Sequence, residues 1–264
     1  THTGPVMREG LYDIYPLNPE RIQRIEEYSA RFETEVIKIT AEALRNLEPV
    51  TLKHGIGITR FAVNRRENKP YGDVPKLIVA NTLKGPIDHD VPVLAVYKGL
   101  DLKAIVFGYA CHSTTLSFQK FSGDYAGFTQ LALEKSHPGA LAMFVNTCGG
   151  DQNPLPRRKL ALCKKYGHML AVGVEEALKK QPLRPVAPGL KTAFEYVPLA
   201  YQKLVTREML TKAQKSNNRI ERRWAGRLLG KLDNGAKFSP TYPYPVHAWR
   251  LGKDTLMIGM GAET

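Results

Sequence analysis

The sequence predicts an α/β fold, a layered domain with a mixed sheet flanked by helices. Short stretches rich in β-branched and aliphatic residues alternate with stretches of helical periodicity, and polar loops sit at the strand ends. Two of the strand pairs are joined by tight turns, so the sheet is mixed rather than purely parallel. At 264 residues and 43% hydrophobic the chain buries a sizeable core, and one domain over residues 1–264 is expected.

Asn18-Pro19-Glu20 is a helix start, an Asx cap followed by proline at the first helical position. Ile22, Ile25, Phe32, Val36, Ile39, Ala43 and Leu47 recur at helical spacing until Pro49, which predicts a long amphipathic helix packed on another layer. Residues 51–63 read as a strand, 64–70 as a loop, and 76–81 as a further short extended piece. The runs 91–97 and 104–110 flank Lys98-Gly99-Leu100-Asp101 as a hairpin, and the second delivers Cys111-His112 to its end.

Asp124 is placed to cap a helix of about a dozen residues that breaks at His137-Pro138-Gly139. Residues 140–146 read as a buried strand running into the glycine-rich turn 147–154. Residues 160–180 form a second helix, and Thr206 caps a third, basic one reaching about Leu232. A last hairpin, 246–251 and 255–260, turns at Gly252-Lys253-Asp254. No internal repeat, low-complexity stretch or linker interrupts this order. The opening Thr1-His2-Thr3-Gly4-Pro5 and the final Thr264 read as the ends of an interior piece of a longer, truncated protein.

The net charge is +13, and much of the excess sits between residues 202 and 236. That segment reads first as a solvated helical face and second as a contact for an anionic membrane surface; no nucleic-acid partner is expected. Cys111, Cys148 and Cys163 are odd in number and lack CxxC spacing, so neither a disulfide framework nor a cysteine zinc site is indicated. No run of about 18 apolar residues is present to span a bilayer.

Three ligand-type residues stand at ends of expected strands or segments: His2 in THTGP, His112 in GYACHSTT and Glu263 in GMGAET. Strand ends of α/β proteins open onto a shared crevice, where two histidines and a carboxylate make a zinc site with a position left for water. The glycine-rich turn, with Gly150 and Asp151, either brings backbone N–H groups to a ligand or is a plain tight turn. GxSxG, P-loop and GxGxxG motifs are absent.

Six segments in register resemble the N-terminal domain of the neutral/alkaline, non-lysosomal ceramidase family. They are THTGP at 1–5, Asn64-Arg65-Arg66, Ala110-Cys111-His112, Ser122-Gly123-Asp124-Tyr125-Ala126-Gly127, Gly150-Asp151-Gln152-Asn153-Pro154, and Arg250 to Asp254 leading to Gly261-Ala262-Glu263. The resemblance implies a ceramidase-like fold and a zinc-dependent hydrolase of sphingolipid metabolism, secreted or periplasmic. It would cleave a C–N amide bond of ceramide or another N-acyl compound by metal-activated water. It implies His112, Glu263 and His2 as Zn2+ ligands, with His2 alternatively the second, catalytic histidine of a pair. Arg65 matches the family's loop arginine near the substrate, and Asp124, Gly150 and Asp151 fall in its substrate-binding segments. The family's turn carries a serine where this chain has Asn153, whose amide is left to donate to an oxyanion.

Two other readings stay open. One is a related metallohydrolase acting on a small non-lipid amide or ester, favoured by a small polar pocket beside His112; a wide apolar groove there favours a lipid. The other is a non-catalytic domain binding carbohydrate or an anionic surface.

Overall fold

The computed structural model describes residues 5–7, 11–179 and 183–261. His2 and Glu263 lie outside them. The described chain gathers into two compact units, one of residues 48–179, 183–194 and 247–261, the other of 5–7, 11–47 and 195–246.

The first unit is built on a five-stranded sheet in the order β5-β4-β3-β1-β7, where β1 is Thr51–Ile58, β3 Asp90–Lys98, β4 Asp101–Tyr109, β5 Leu141–Asn146 and β7 Arg184–Val186. The sheet is mixed, as expected: β4 and β5 run parallel with Phe107 opposite Phe144, and the other neighbours are antiparallel. Two helices, α3 (Asp124–Ser136) and α4 (Leu160–Lys179), cover one face. Strand periodicity sends Val91, Val93, Ala95, Ile105, Phe107, Tyr109 and Ala142 to that face, where all are buried against Tyr125, Leu133, Leu170 and Val174. A short antiparallel ladder, β2 (Ala62–Asn64) with β6 (Gln152–Pro154), carries the two motif loops.

Helix α4 lies directly on the backbone of β1. A Cβ on Gly57 would stand 1.8 Å from the Gly173 carbonyl oxygen, and one on Gly173 would stand 3.0 Å from that of Ile58. Two glycines facing one another allow this approach; no larger residue fits at Gly57, and one at Gly173 would press on the Ile58 carbonyl.

The second unit contains α1 (Pro19–Arg45), capped by Asn18 through its side-chain bond to the Arg21 N–H, and the pair α5 (Arg207–Ala213) and α6 (Arg219–Asp233). Leu210, Ala225 and Leu229 form its small core. Arg227 grips the Asp13 carboxylate through Nε at 2.9 Å and Nη2 at 2.6 Å, and Arg223 donates to the Asp13 carbonyl. A three-stranded sheet, in the order β10-β9-β8, consists of β8 (Leu190–Ala200), β9 (Thr241–Leu251) and β10 (Thr255–Met260), of which β10, residues 190–194 of β8 and residues 247–251 of β9 belong to the first unit.

Several expectations are corrected. Residues 76–81 are not extended; α2 (Val74–Val79) occupies them, because Pro75 in its first turn supplies the fixed φ that starts a helix. The expected strand 51–63 is two strands broken at Thr59–Phe61. The third helix is also two, broken at 214–218, where Asn218 caps α6 anew. Strand β5 is not buried: it is the sheet edge, and Leu141, Met143 and Val145 are exposed. Helix α1 keeps its apolar stripe but buries no residue. Strands β7 and β8, on either side of the turn dipeptide Pro188-Gly189, add two strands that the expected order lacked.

Gly57→Ala is expected to lower stability by about 3 kcal/mol, the upper range of overpacking, seen as an earlier urea midpoint with unchanged slope. Burial raises the pKa of Tyr109 and Tyr166, and moves that of Cys163 from 9.0 to about 12 with further help from the Asp124 charge. The native state therefore keeps protons that the unfolded chain releases, so these groups contribute full stability below pH 9 and progressively less up to about 12. Urea midpoints measured from pH 8 to 11 are expected to fall steadily above 9.

Candidate active site

Strand β4 ends at Tyr109, whose hydroxyl donates to the Thr59 carbonyl and accepts from the Ala62 N–H, both at 3.2 Å. This anchor fixes where the chain leaves the sheet and thus where His112 stands. The next turns are made by the glycine-rich loop. Thr147 N–H bonds Tyr109 O, Gly149 N–H bonds Thr147 O at 2.7 Å, and Gln152 N–H bonds Gly149 O. A Cβ at Gly149 would stand 2.6 Å from the Cys111 nitrogen, so only glycine lets the loop rest on the strand end.

His112 is buried, and both its backbone N–H and its ring Nδ1 bond the Gln152 carbonyl, at 3.0 and 2.9 Å. A carbonyl only accepts, so Nδ1 carries the proton and Nε2 the ring lone pair. That is the tautomer, fixed by a backbone partner, with which histidines bind metals. A zinc site needs three protein donors and an open position. Of the implied set only His112 is described, and among the described residues no three His, Cys, Asp or Glu side chains gather.

The segment after His112 is held by Asp124. Its carboxylate, 1% exposed, accepts from the N–H groups of Thr115 (3.1 Å), Leu116 (2.8 Å) and Tyr125 (2.8 Å). Tyr125 in turn donates its hydroxyl to the Cys111 carbonyl at 2.6 Å. Asp124 therefore holds backbone behind the site, and it does not border the cavity described next.

His112 borders a cavity of about 730 Å³. One wall is the sheet face turned away from α3 and α4, including His54, Ile56, Leu94, Val106 and Val145; a second is β10 with Leu256, Ile258 and Met260; the floor at the His112 end is Asn146 to Gly150. The walls are apolar except for His54 and Thr255, and the other polar side chains, His112, Asn146, Thr147 and Cys148, belong to the His112 end. Gly150 lies in that end, buried, and its N–H makes no hydrogen bond among the described residues.

The structure thus brings His112 and Gly150 together. Arg65, Asp151 and Asn153 stand on the neighbouring β2–β6 ladder and its loops, outside the cavity lining: Arg65 N–H bonds the Asp151 carbonyl at 2.7 Å, and Asp151 accepts from the Asn64 side chain. Asn153 is 1% exposed, and its Oδ1 has no partner among the described residues. His54, which sequence reasoning ranked below His112 and His2 as a ligand, and Cys148, which it read only as part of the glycine-rich turn, both line the cavity. The signal for His54 was its place on the same strand face as Ile56 and Ile58. Cys148 gave none beyond its neighbouring glycines.

No family model matches the chain, and no curated protein does. Among solved structures the chain is similar to a neutral ceramidase from Pseudomonas aeruginosa, at 17% identity and a TM-score of 0.56, over 82% of this chain and 41% of that one. It is likewise similar to a ceramidase complexed with C2, at 15% identity and a TM-score of 0.53, over 80% of this chain and 41% of that one. The chain thus spans about two fifths of the length of these solved chains, and the likeness establishes the shared fold.

Asp124→Ala would leave three buried N–H groups without acceptors, at about 1–3 kcal/mol each. The variant is expected to lose at least about 3 kcal/mol in denaturant unfolding, and Asp124→Asn, which keeps one acceptor oxygen, to lose less. Cys148 is exposed, while Cys111 and Cys163 are buried with thiols pushed up by desolvation. Iodoacetamide at pH 8 is expected to modify Cys148 alone in the native protein, with all three labelled in urea, as read by peptide mass spectrometry.

Proposed function

We propose that this chain is part of a ceramidase-like amide hydrolase acting on an N-acyl lipid, and that His112 is one of its zinc ligands. The observation that carries the reading is the position of His112, at the end of a strand and at the polar end of a wide apolar cavity, in a fold shared with two ceramidases. An apolar cavity favours a lipid amide over a small polar one, because acyl methylenes gain about 0.8 kcal/mol each on leaving water.

The chain's own residues divide the work. The apolar walls take the acyl chain and exclude water from the scissile end. The N–H of Gly150, a buried residue of the cavity lining, donates to the carbonyl oxygen as negative charge develops there. Gln152, through its carbonyl, holds the His112 ring so that Nε2 presents its lone pair. Zinc, when bound, supplies a Lewis acid and lowers the pKa of water. His2 and Glu263 are the proposed further ligands, His2 alternatively serving as a base, and Arg65 is the proposed substrate-side cation. Asn153, in the position of the family serine, offers an amide and no nucleophile.

His112→Ala is expected to abolish zinc retention and reduce hydrolysis of an N-acylsphingosine by at least about a thousandfold, with circular dichroism unchanged. Normal turnover in that variant, measured in the full-length parent protein, would overturn the assignment. Arg65→Ala is expected to lower turnover with zinc retained.

A further inference from the structure

The second unit carries a separate cavity of about 380 Å³, lined by Tyr201, Lys203, Leu204, Val205, Trp224, Leu228, Phe238 and Ser239. Its walls are aromatic and aliphatic, its volume is that of a small-ligand site, and no acidic residue lines it. Tyr201 and Leu204 at its edge are 52% and 46% exposed. An amphiphile's apolar end fits such a place.

The charge around it is sorted. Between Gln202 and Lys237 the sequence holds ten lysines and arginines against three acids. Four of the arginines are engaged inside the unit: Arg207 with Asp233, Arg222 with the Ser216 carbonyl, and Arg223 and Arg227 with Asp13 and Ile14. Three exposed lysines on or next to the cavity's lining residues along the chain are not. Lys203 lines it, Lys231 stands one turn beyond Leu228 on the same stripe of α6, and Lys237 adjoins Phe238. None of the three has a hydrogen-bond or ion-pair partner among the described residues.

We propose that this cavity and its three lysines form a docking site for the surface of an anionic phospholipid membrane, with Tyr201 and Leu204 entering the interface and the lysines meeting lipid phosphates. Charge complementarity selects this partner over a neutral bilayer, and the apolar cavity selects it over a nucleic acid, which would meet phosphate-gripping arginines beside exposed aromatic faces; here four of the five arginines of the segment are tied to carboxylate or carbonyl partners of their own unit. The site is independent of the hydrolase reading.

The test is sedimentation of the 264-residue chain with phosphatidylcholine vesicles containing 30% phosphatidylserine, and with pure phosphatidylcholine vesicles, at roughly 0.1 and 0.5 M NaCl. Binding to the anionic vesicles only, weakened at the higher salt, is expected. Each of Lys203→Gln, Lys231→Gln and Lys237→Gln is expected to lower the partition about fivefold, the equivalent of ~1 kcal/mol per lysine near an anionic surface. Lys103→Gln, in the first unit, is expected to leave it unchanged. Tyr201→Ala with Leu204→Ala is expected to reduce binding further at the higher salt, and Trp224 fluorescence in a Trp249→Phe background to shift to the blue. No binding, equal binding to both vesicles, equal losses from Lys103→Gln, or preferential capture by an RNA homopolymer would each overturn the proposal.

Discussion

The buried carboxylate of Asp124 is the interaction on which the geometry of the His112 end depends. It accepts three backbone N–H groups from two separate parts of the chain, Thr115 and Leu116 after the strand end and Tyr125 at the start of α3. A carboxylate withdrawn from water is costly unless its lone pairs are filled by donors, and here the donors come from the segment that must be held. Asp124 itself sits at φ 54°, a left-handed conformation that Asp tolerates better than most residues. Because Tyr125 follows it and bonds the Cys111 carbonyl, one residue ties strand end, loop and helix into a single unit.

Around that tie the sheet uses its two faces differently. One is sealed by α3 and α4, close enough over β1 that two glycines must oppose one another. The other keeps Ile56, Ile58, Met143 and Val145 partly exposed and forms the wall of the cavity. Period-two alternation produces both from the same strands, so the residues that stabilise the core and those that shape the cavity are interleaved along the sequence. The polar end results from chain direction: β4 delivers His112 and β5 delivers Asn146 to Gly150 at the same sheet end because the two strands run parallel.

The second unit follows a different logic, in which charge is arranged rather than core volume. Arginine, with its planar fork, is used to clamp Asp13 and carbonyl oxygens, and lysine is left at the surface. A sequence count of positive residues does not distinguish these two uses. Arg223 and Lys231 look alike in the segment and differ entirely in what they face.

Much of the fold was legible in the sequence because it rests on local signals. The Asn18 cap, the break at His137-Pro138-Gly139, the hairpin at Gly99 and the turn at Gly252 are each fixed by the conformational limits of the residues themselves. The split of the basic helix and the helical turn at Val74 also follow local chemistry, a second Asx cap and a first-turn proline, and were masked by an apolar pattern that fits more than one period. The sequence by itself determined the mixed α/β layering and the presence of His112 at a strand end. Only the tertiary structure decided that Asp124 is a clamp, that Arg65 and Asn153 stand off the cavity while Gly150 faces it, and that β5 is an exposed edge. These depend on which strands become neighbours, and pairings across tens of residues leave no periodic trace in the residues that make them.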